Sequence, residues 1–375
     1  MLRIKVVLLS GEPERSESLL LPQSSRIKDL RTEVQKAFQG RLVRLVTADG
    51  NLLDADKSLE AAGLRDGDVL TAILLEAKQL AATHAAFALS CCGGDQILTW
   101  GNKQFGGDNF AIQNKIRRVH KVQATKTAFA AILEDGSVIT WGNQHDGGDS
   151  SKVQLRNVQQ IQANCYAFAA ILENGSVVAW GHPKNGGDIS AVQDQLVNVQ
   201  QVQATFSAFA AILANGSLVA WGNEECGGDN SAVQDQLQDV RNVQSTQTAF
   251  AAILEDGSVI TWGNQRDGGD SSKVRDQLRN VDQIVATDGA FAAILRDGSV
   301  VSWGCGYFGG DSSLVQDQLR NVKRVQATRS AFAAICRDGS LVTWGQKFSG
   351  GDSSSIQNQV RNMDLPRNVG TSTFG

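Results

Sequence analysis

VQSTQTAFAAILEDGSVITWGNQRDGGDSSKVRDQLRNVDQ, residues 243–283, decides the fold, because close variants of it recur along most of the chain. Residues 249–254 are a short apolar run bounded by turn formers, which predicts a buried strand. Asp256-Gly257 follows, a dipeptide whose tolerance of positive φ suits a two-residue hairpin turn. Residues 258–262 then alternate small or polar with large apolar side chains and read as the returning strand. A third short strand is expected at 242–244, and its counterpart in the following repeat is entered from 274–281.

The same pattern returns at a fixed period. Trp100, Trp141, Trp180, Trp221, Trp262, Trp303 and Trp344 are spaced 41, 39, 41, 41, 41 and 41 residues apart, each is followed by glycine, and together they are all seven tryptophans of the protein. The hairpin dipeptide recurs as Asp135-Gly136, Asn174-Gly175, Asn215-Gly216, Asp297-Gly298 and Asp338-Gly339, while the first repeat has Cys91-Cys92-Gly93-Gly94-Asp95, one residue longer. Three or four short strands per 41 residues fit a propeller blade better than a helical solenoid. Each tryptophan, large and flat at one fixed phase, is expected to fill the gap between adjacent twisted sheets.

The pattern A-F-A-A-I-L-x-D-G-S-V-x-x-W-G-x-x-x-x-G-G-D resembles the regulator-of-chromosome-condensation type of repeat, with its apolar strand, D-G turn and W-G pair, and the short-repeat propellers of the β-lactamase-inhibitor type. The resemblance covers roughly residues 80–362. It implies an all-β seven-bladed β-propeller, here over 79–362, with a tail at 363–375. Two departures bear on function. The family's G-Q-L-G is replaced by G-G-D, as at Gly147-Gly148-Asp149 and Gly268-Gly269-Asp270, and the histidine that usually precedes its apolar strand is missing. Relatives that exchange nucleotide on a small GTPase carry longer repeats and a protruding wedge, which this chain lacks.

Residues 1–76 read as a separate small α+β domain. Strands are expected at 2–9, 17–21, 41–47 and 68–74, and a helix at 27–38 whose Ile27, Leu30, Val34 and Phe38 share one face, with Ser24 or Ser25 as its cap. This β-β-α-β-β order, and the stretch RLVRLVTADGNLLDADKSLEAAGLRDGDVLTAIL, resemble the ubiquitin β-grasp. The resemblance places an apolar partner-binding patch at Leu9, Val46 and Ile73, although these side chains would equally serve to pack against the propeller. No Gly-Gly ends the domain, which runs through Glu76-Ala77-Lys78 into the repeats, so conjugation as a modifier is not expected.

Composition narrows the chemistry. Of 35 basic and 39 acidic residues, 12 of each lie in 1–78, leaving 23 against 27, so the repeats are mildly acidic and a poor match for nucleic-acid phosphates. The six cysteines show no C-x-x-C spacing and are expected as reduced thiols of a cytoplasmic or nuclear protein. Val6 to Leu9 is too short for a signal-peptide core, and no window reaches membrane-span length. His84, His120, His145 and His182 fall at four phases of the repeat, which suits surface positions better than a catalytic set. Neither a phosphate loop nor a nucleophile elbow occurs, and Cys226 sits beside Glu224 and Glu225, which would raise its pKa. The G-G-D aspartates, such as Asp108, Asp149 and Asp229, are expected to accept backbone N–H bonds in turns; a calcium role is the alternative, without the D-x-D-x-D-G ladder to favour it. Only 31 residues follow Trp344, too few for the HECT domain of ligases that carry this kind of propeller. No cofactor, metal or enzymatic activity is expected.

Nearly identical repeats isolate what differs between them. The four residues after each W-G vary, as does the pair before each A-F strand, for example Cys165-Tyr166, Phe206-Ser207 and Arg329-Ser330. Variation inside a fixed frame is what loops on a rigid scaffold allow. If both sets share one face, Tyr166, Phe206, Tyr307 and Phe308 form an exposed aromatic mosaic of the kind that anchors protein partners; the alternative is drift at unconstrained positions. The expected function is a monomeric, non-catalytic adaptor whose propeller face binds a protein partner and whose N-terminal domain links it to ubiquitin-pathway components. Guanine-nucleotide exchange on a small GTPase, kinship to the non-catalytic part of HECT-type ligases, and enzyme inhibition are the alternatives.

Overall fold

The computed structural model describes residues 1–9, 16–37, 43–54, 56–74, 78–91 and 94–363. Phe38, Arg41, Cys92-Gly93, Glu76-Ala77 and the tail beyond 363 lie outside the described residues. The chain divides into two compact units, one of residues 1–80, 89–98 and 116–121, the other of 81–88, 99–115 and 122–375.

The first unit holds a four-stranded sheet. Its strands are β1 (Leu2–Leu9), β2 (Ser16–Leu21), β3 (Val43–Val46) and β4 (Val69–Leu74), with helix α1 (Ile27–Ala37) between β2 and β3. The order is β2-β1-β4-β3, antiparallel except for the central β1–β4 pair. Period-two alternation sends Leu2, Ile4 and Val6 of β1 inward, where they meet Ile27, Leu30 and Val34 from one stripe of α1 and Val43, Leu45, Leu70 and Ala72 from the other strands. The start of α1 is held by Asp29, whose carboxylate accepts the Arg26 N–H at 2.9 Å, rather than by Ser24 or Ser25.

The repeats form seven three-stranded sheets, one per tryptophan. In the fifth of these sheets the strands are Val240–Ser245, Ala249–Leu254 and Val259–Gly263, paired antiparallel in chain order. The second strand has the bounds that the apolar run gave. The first is three residues longer than expected: two are added where it starts at a bulge between Val240 and Asn242, and one where Ser245 continues the pairing to Phe250. The stretch leading to the next sheet, Ser272–Gln277, is a turn of 3₁₀ helix that the sequence did not announce.

Successive sheets from the second to the seventh pack face to face, each pair enclosing its own apolar layer. In the layer between the fourth and fifth sheets, Ala208, Ala210 and Ile212 lie against Val243, Phe250, Ala252 and Trp262. The alternating alanines let the backbones approach while the large side chains of the next sheet fill the space. Within each sheet a phenylalanine stacks on the tryptophan at a centroid distance of 5.0–5.3 Å. From Trp141 onward, each indole N–H also donates to a glycine carbonyl of the preceding repeat at 3.0–3.1 Å. That glycine has to be glycine. Gly268, for instance, has φ +104°, and a Cβ there would lie 2.5 Å from the ring of Phe291.

Candidate interaction surface

Each sheet has two unlike ends. Ala249 pairs with Gly263, so the start of the second strand and the end of the third lie at the same end of the sheet. The varying pair before A-F and the varying loop after W-G therefore come together there. In the second to seventh sheets a D-G or N-G turn joins the second and third strands at the opposite end. Its Asp or Asn side chain accepts both the backbone N–H and the hydroxyl of the following serine, as Asp256 does from Ser258 at 2.8 and 2.7 Å. Asn174 and Asn215 make the same two bonds.

At the varying end the backbone is fixed by a residue that is threonine in six repeats and asparagine in one. Thr205, three residues before the apolar strand, accepts the Ala208 N–H at 3.0 Å and donates to the Cys226 carbonyl at 2.9 Å, tying the turn to the loop. Thr287 bridges to Phe308 and Thr328 to Ser349 in the same way, and Asn164 does so with its amide to Asn185 at 2.7 Å. A second tie runs from sheet to sheet. The Lys126 N–H donates to the Cys165 carbonyl, Cys165 to Phe206, Phe206 to Gln247, Gln247 to Asp288 and Asp288 to Arg329, at 2.7–3.2 Å. The varying residues thus form a hydrogen-bonded backbone row from which only side chains differ. Sequence reasoning missed the threonines and Asn164; their signal was a hydrogen-bonding residue at one constant phase, three positions before A-F.

The side chains along this row fall into distinct patches. Tyr166 meets Phe206 edge to face at 5.4 Å, the Lys126 ammonium lies 4.1 Å from the centre of the Phe206 ring, and the His182 ring is 6.4 Å from Tyr166. Burial raises the pKa of both Cys165 and Tyr166 above the usual values, so neither is primed as a nucleophile. Burial is also the main cause that raises Cys226, with the neighbouring carboxylate of Glu225 contributing less, whereas the sequence pointed to the carboxylates. Further along, Arg329 pairs with Asp288 at 2.9 Å, and Tyr307 packs edge to face on Phe308 at 5.2 Å while its hydroxyl bonds to Gln346.

Of the four aromatic residues expected to be exposed, only Tyr307 is, at 60%. Tyr166, Phe206 and Phe308 are half-buried. Phe308 sinks because Gly289 leaves room beneath it: a Cβ at Gly289 would lie 2.5 Å from the Phe308 ring. No ring contact joins the Tyr166–Phe206 pair to the Tyr307–Phe308 pair among the described residues. In the first unit, Ile73 is exposed and Val46 half-buried, on the sheet face opposite Val43, Leu45 and Ala72. Leu9 is paired with Ile73 in the backbone register, but its side chain lies outside the described residues.

The aspartate of each G-G-D triplet accepts the backbone N–H two residues on, as Asp229 does from Ser231 at 2.8 Å. This bond is the main cause that lowers the carboxyl below its usual range. Among the described residues no group of three or more His, Cys, Asp or Glu is placed to hold a metal. No helix among them is long and apolar enough to cross a membrane.

A β-rich chain of repeated three-stranded sheets, following a small mixed sheet and helix, is the class that these observations define. No protein-family model matches the chain, and no curated protein matches it. Similar solved structures include Prp20p from Saccharomyces cerevisiae, at 15% identity over 61% of this chain and 72% of that chain, with a TM-score of 0.39. Human WBSCR16 is 17% identical over 76% of this chain and 82% of that chain, with a TM-score of 0.40. The ubiquitin of Caldiarchaeum subterraneum is 25% identical over 20% of this chain and 95% of its own, with a TM-score of 0.19. These scores are too low to carry the fold, which rests on the strand order and the packing described above.

Proposed function

We propose that the chain is a non-catalytic protein-binding scaffold, in which seven propeller-type blades follow a ubiquitin-like β-grasp domain in sequence. The observation that carries this reading is the varying end of the sheets, where side-chain ties from threonine or Asn164 in six repeats and the sheet-to-sheet backbone row hold the loops in place while side chains change from repeat to repeat. Rigid display of varied side chains is what a binding surface needs, since little conformational freedom is lost on association. The aromatic patch at Tyr166 and Phe206 with Lys126, and the exposed Tyr307, supply anchors of the type enriched at interfaces. The β2-β1-β4-β3 order with one helix supports the β-grasp reading, and Val46 and Ile73 offer an apolar face toward ubiquitin-pathway partners.

The test is capture from lysate by the intact chain and by the Tyr307→Ala/Phe308→Ala and Tyr166→Ala/Phe206→Ala variants. Loss of a captured protein with either variant, at unchanged circular dichroism, supports the reading. Capture that is indifferent to both sinks it. Stimulated release of fluorescent nucleotide from a small GTPase would replace it with the exchange reading.

A further inference from the structure

Six junctions between successive sheets share one construction, and the two outermost faces carry the two halves of a seventh. In the second to sixth sheets the isoleucine of the apolar strand, such as Ile132 or Ile253, is 1–7% exposed, covered by the following sheet; in the seventh sheet its counterpart Ile335 is 48% exposed. A Cβ at Gly350 would meet nothing within 4 Å, whereas at Gly147, Gly268 and their equivalents it would touch the phenylalanine of the next sheet. The first sheet presents the opposite half. Phe87 and Trp100 are stacked at 5.2 Å like the other pairs, yet they are 42% and 47% exposed, against 0–1% for the other six phenylalanines and 4–5% for the other six tryptophans. Among the described residues, the Trp100 indole makes no hydrogen bond to Gly350, and Arg329 N–H makes none to the His84 carbonyl. These are the bonds that would extend the indole-to-glycine series and the sheet-to-sheet row.

Terminal repeats of stacked proteins ordinarily carry a polar outer face. Here both outer faces are apolar and mutually complementary, and what fits each is already displayed six times inside the chain. We propose that the face of the seventh sheet around Ile335 and Gly350 seats the Phe87–Trp100 pair of a second copy of this chain. Copies then join head to tail through a junction like the internal six: Trp100 N–H donates to the partner copy's Gly350 carbonyl, and the stacked rings cover the partner copy's Ile335. Such a contact is heterologous and yields closed rings or filaments, not an isologous dimer. It departs from the monomer that the sequence suggests and stands independently of any partner on the varying end.

Sedimentation velocity of the full chain over a range of concentrations tests it. The mass is expected to rise with concentration above the 40.1 kDa of one chain. Trp100→Arg and Ile335→Arg, each at a position already half exposed, should each sediment as monomers. An equal mixture of the two should give dimers and nothing larger, because each variant keeps one sound face; misfolded variants could not complement each other. A wild-type chain that stays monomeric throughout, or variants that do not pair on mixing, would overturn the proposal. So would a His84→Cys/Arg329→Cys chain that oxidises within single chains, since the seventh junction would then close on itself.

Discussion

The two ends of each sheet from the second to the seventh are built from the same three strands yet behave as opposites. At the hairpin end, Asp256-Gly257-Ser258 and its equivalents repeat with one set of bonds, and Asn replaces Asp without altering them. At the other end, a threonine, or Asn164 in the third sheet, holds a backbone whose side chains run from lysine to glycine. A residue whose side chain completes the backbone's hydrogen bonding cannot vary freely; one whose backbone is completed by a neighbour can. The varying end is therefore variable because its geometry has been delegated to Thr125, Asn164, Thr205 and their equivalents.

The largest expected effect lies away from both ends, in the layer between sheets that sustains them. Phe250→Ala removes a side chain with no exposure and should cost about 3–5 kcal/mol. Urea unfolding measures it, and a loss below 1 kcal/mol on that scale would mean that the junctions are not the core. Gly268→Ala follows, forcing an L residue to φ +104° against the Phe291 ring, with an expected loss of about 1–3 kcal/mol. At the hairpin end, Asp256→Ala should cost about 1 kcal/mol by leaving the Ser258 N–H without its acceptor.

Asp256 also makes a pH prediction. Its folded pKa is depressed, chiefly by the Ser258 hydroxyl and then by the Ser258 N–H. The stability it contributes is therefore complete above the ordinary carboxylate value and is lost as pH falls through the lowered folded value. Asp256→Asn should keep the bonds, as Asn174 and Asn215 do, and remove this share of the acid sensitivity in melting curves recorded below pH 5, the range in which carboxylates titrate. The smallest effect belongs to the varying end: Tyr307→Ala should change stability by no more than about 0.5 kcal/mol while weakening partner capture. A large loss of stability there would erase the contrast between the two ends.

What the sequence showed and what it hid follow the same division. Residues 249–254 could be read to the residue because an apolar run between turn formers is a local signal, and Leu30 and Val34 could be placed inside α1 because helical periodicity is local too. The 3₁₀ turn at Ser272–Gln277 is too short to show a period. The burial of Phe308 depends on Gly289, nineteen residues earlier, and that of Tyr166 on Phe206 in the next sheet. Such contacts exist only after the sheets are stacked, so an aromatic residue in a varying loop looked exposed when three of the four were half-covered.

The spacing of 39 residues between Trp141 and Trp180 has a consequence for how this chain can change length. The short repeat reads Ser151-Lys152-Val153-Gln154-Leu155 where others carry two residues more before the leucine, as in Ser272-Lys273-Val274-Arg275-Asp276-Gln277-Leu278. Even so, Trp180 still reaches Gly147 at 3.0 Å and Leu155 is still buried. The connecting turn absorbs small deletions, and because each junction presents the same partners to its neighbour, a whole repeat gained or lost in frame leaves no sheet mismatched. Length is thus taken up in the connecting turns, while the contact between units keeps the same partners.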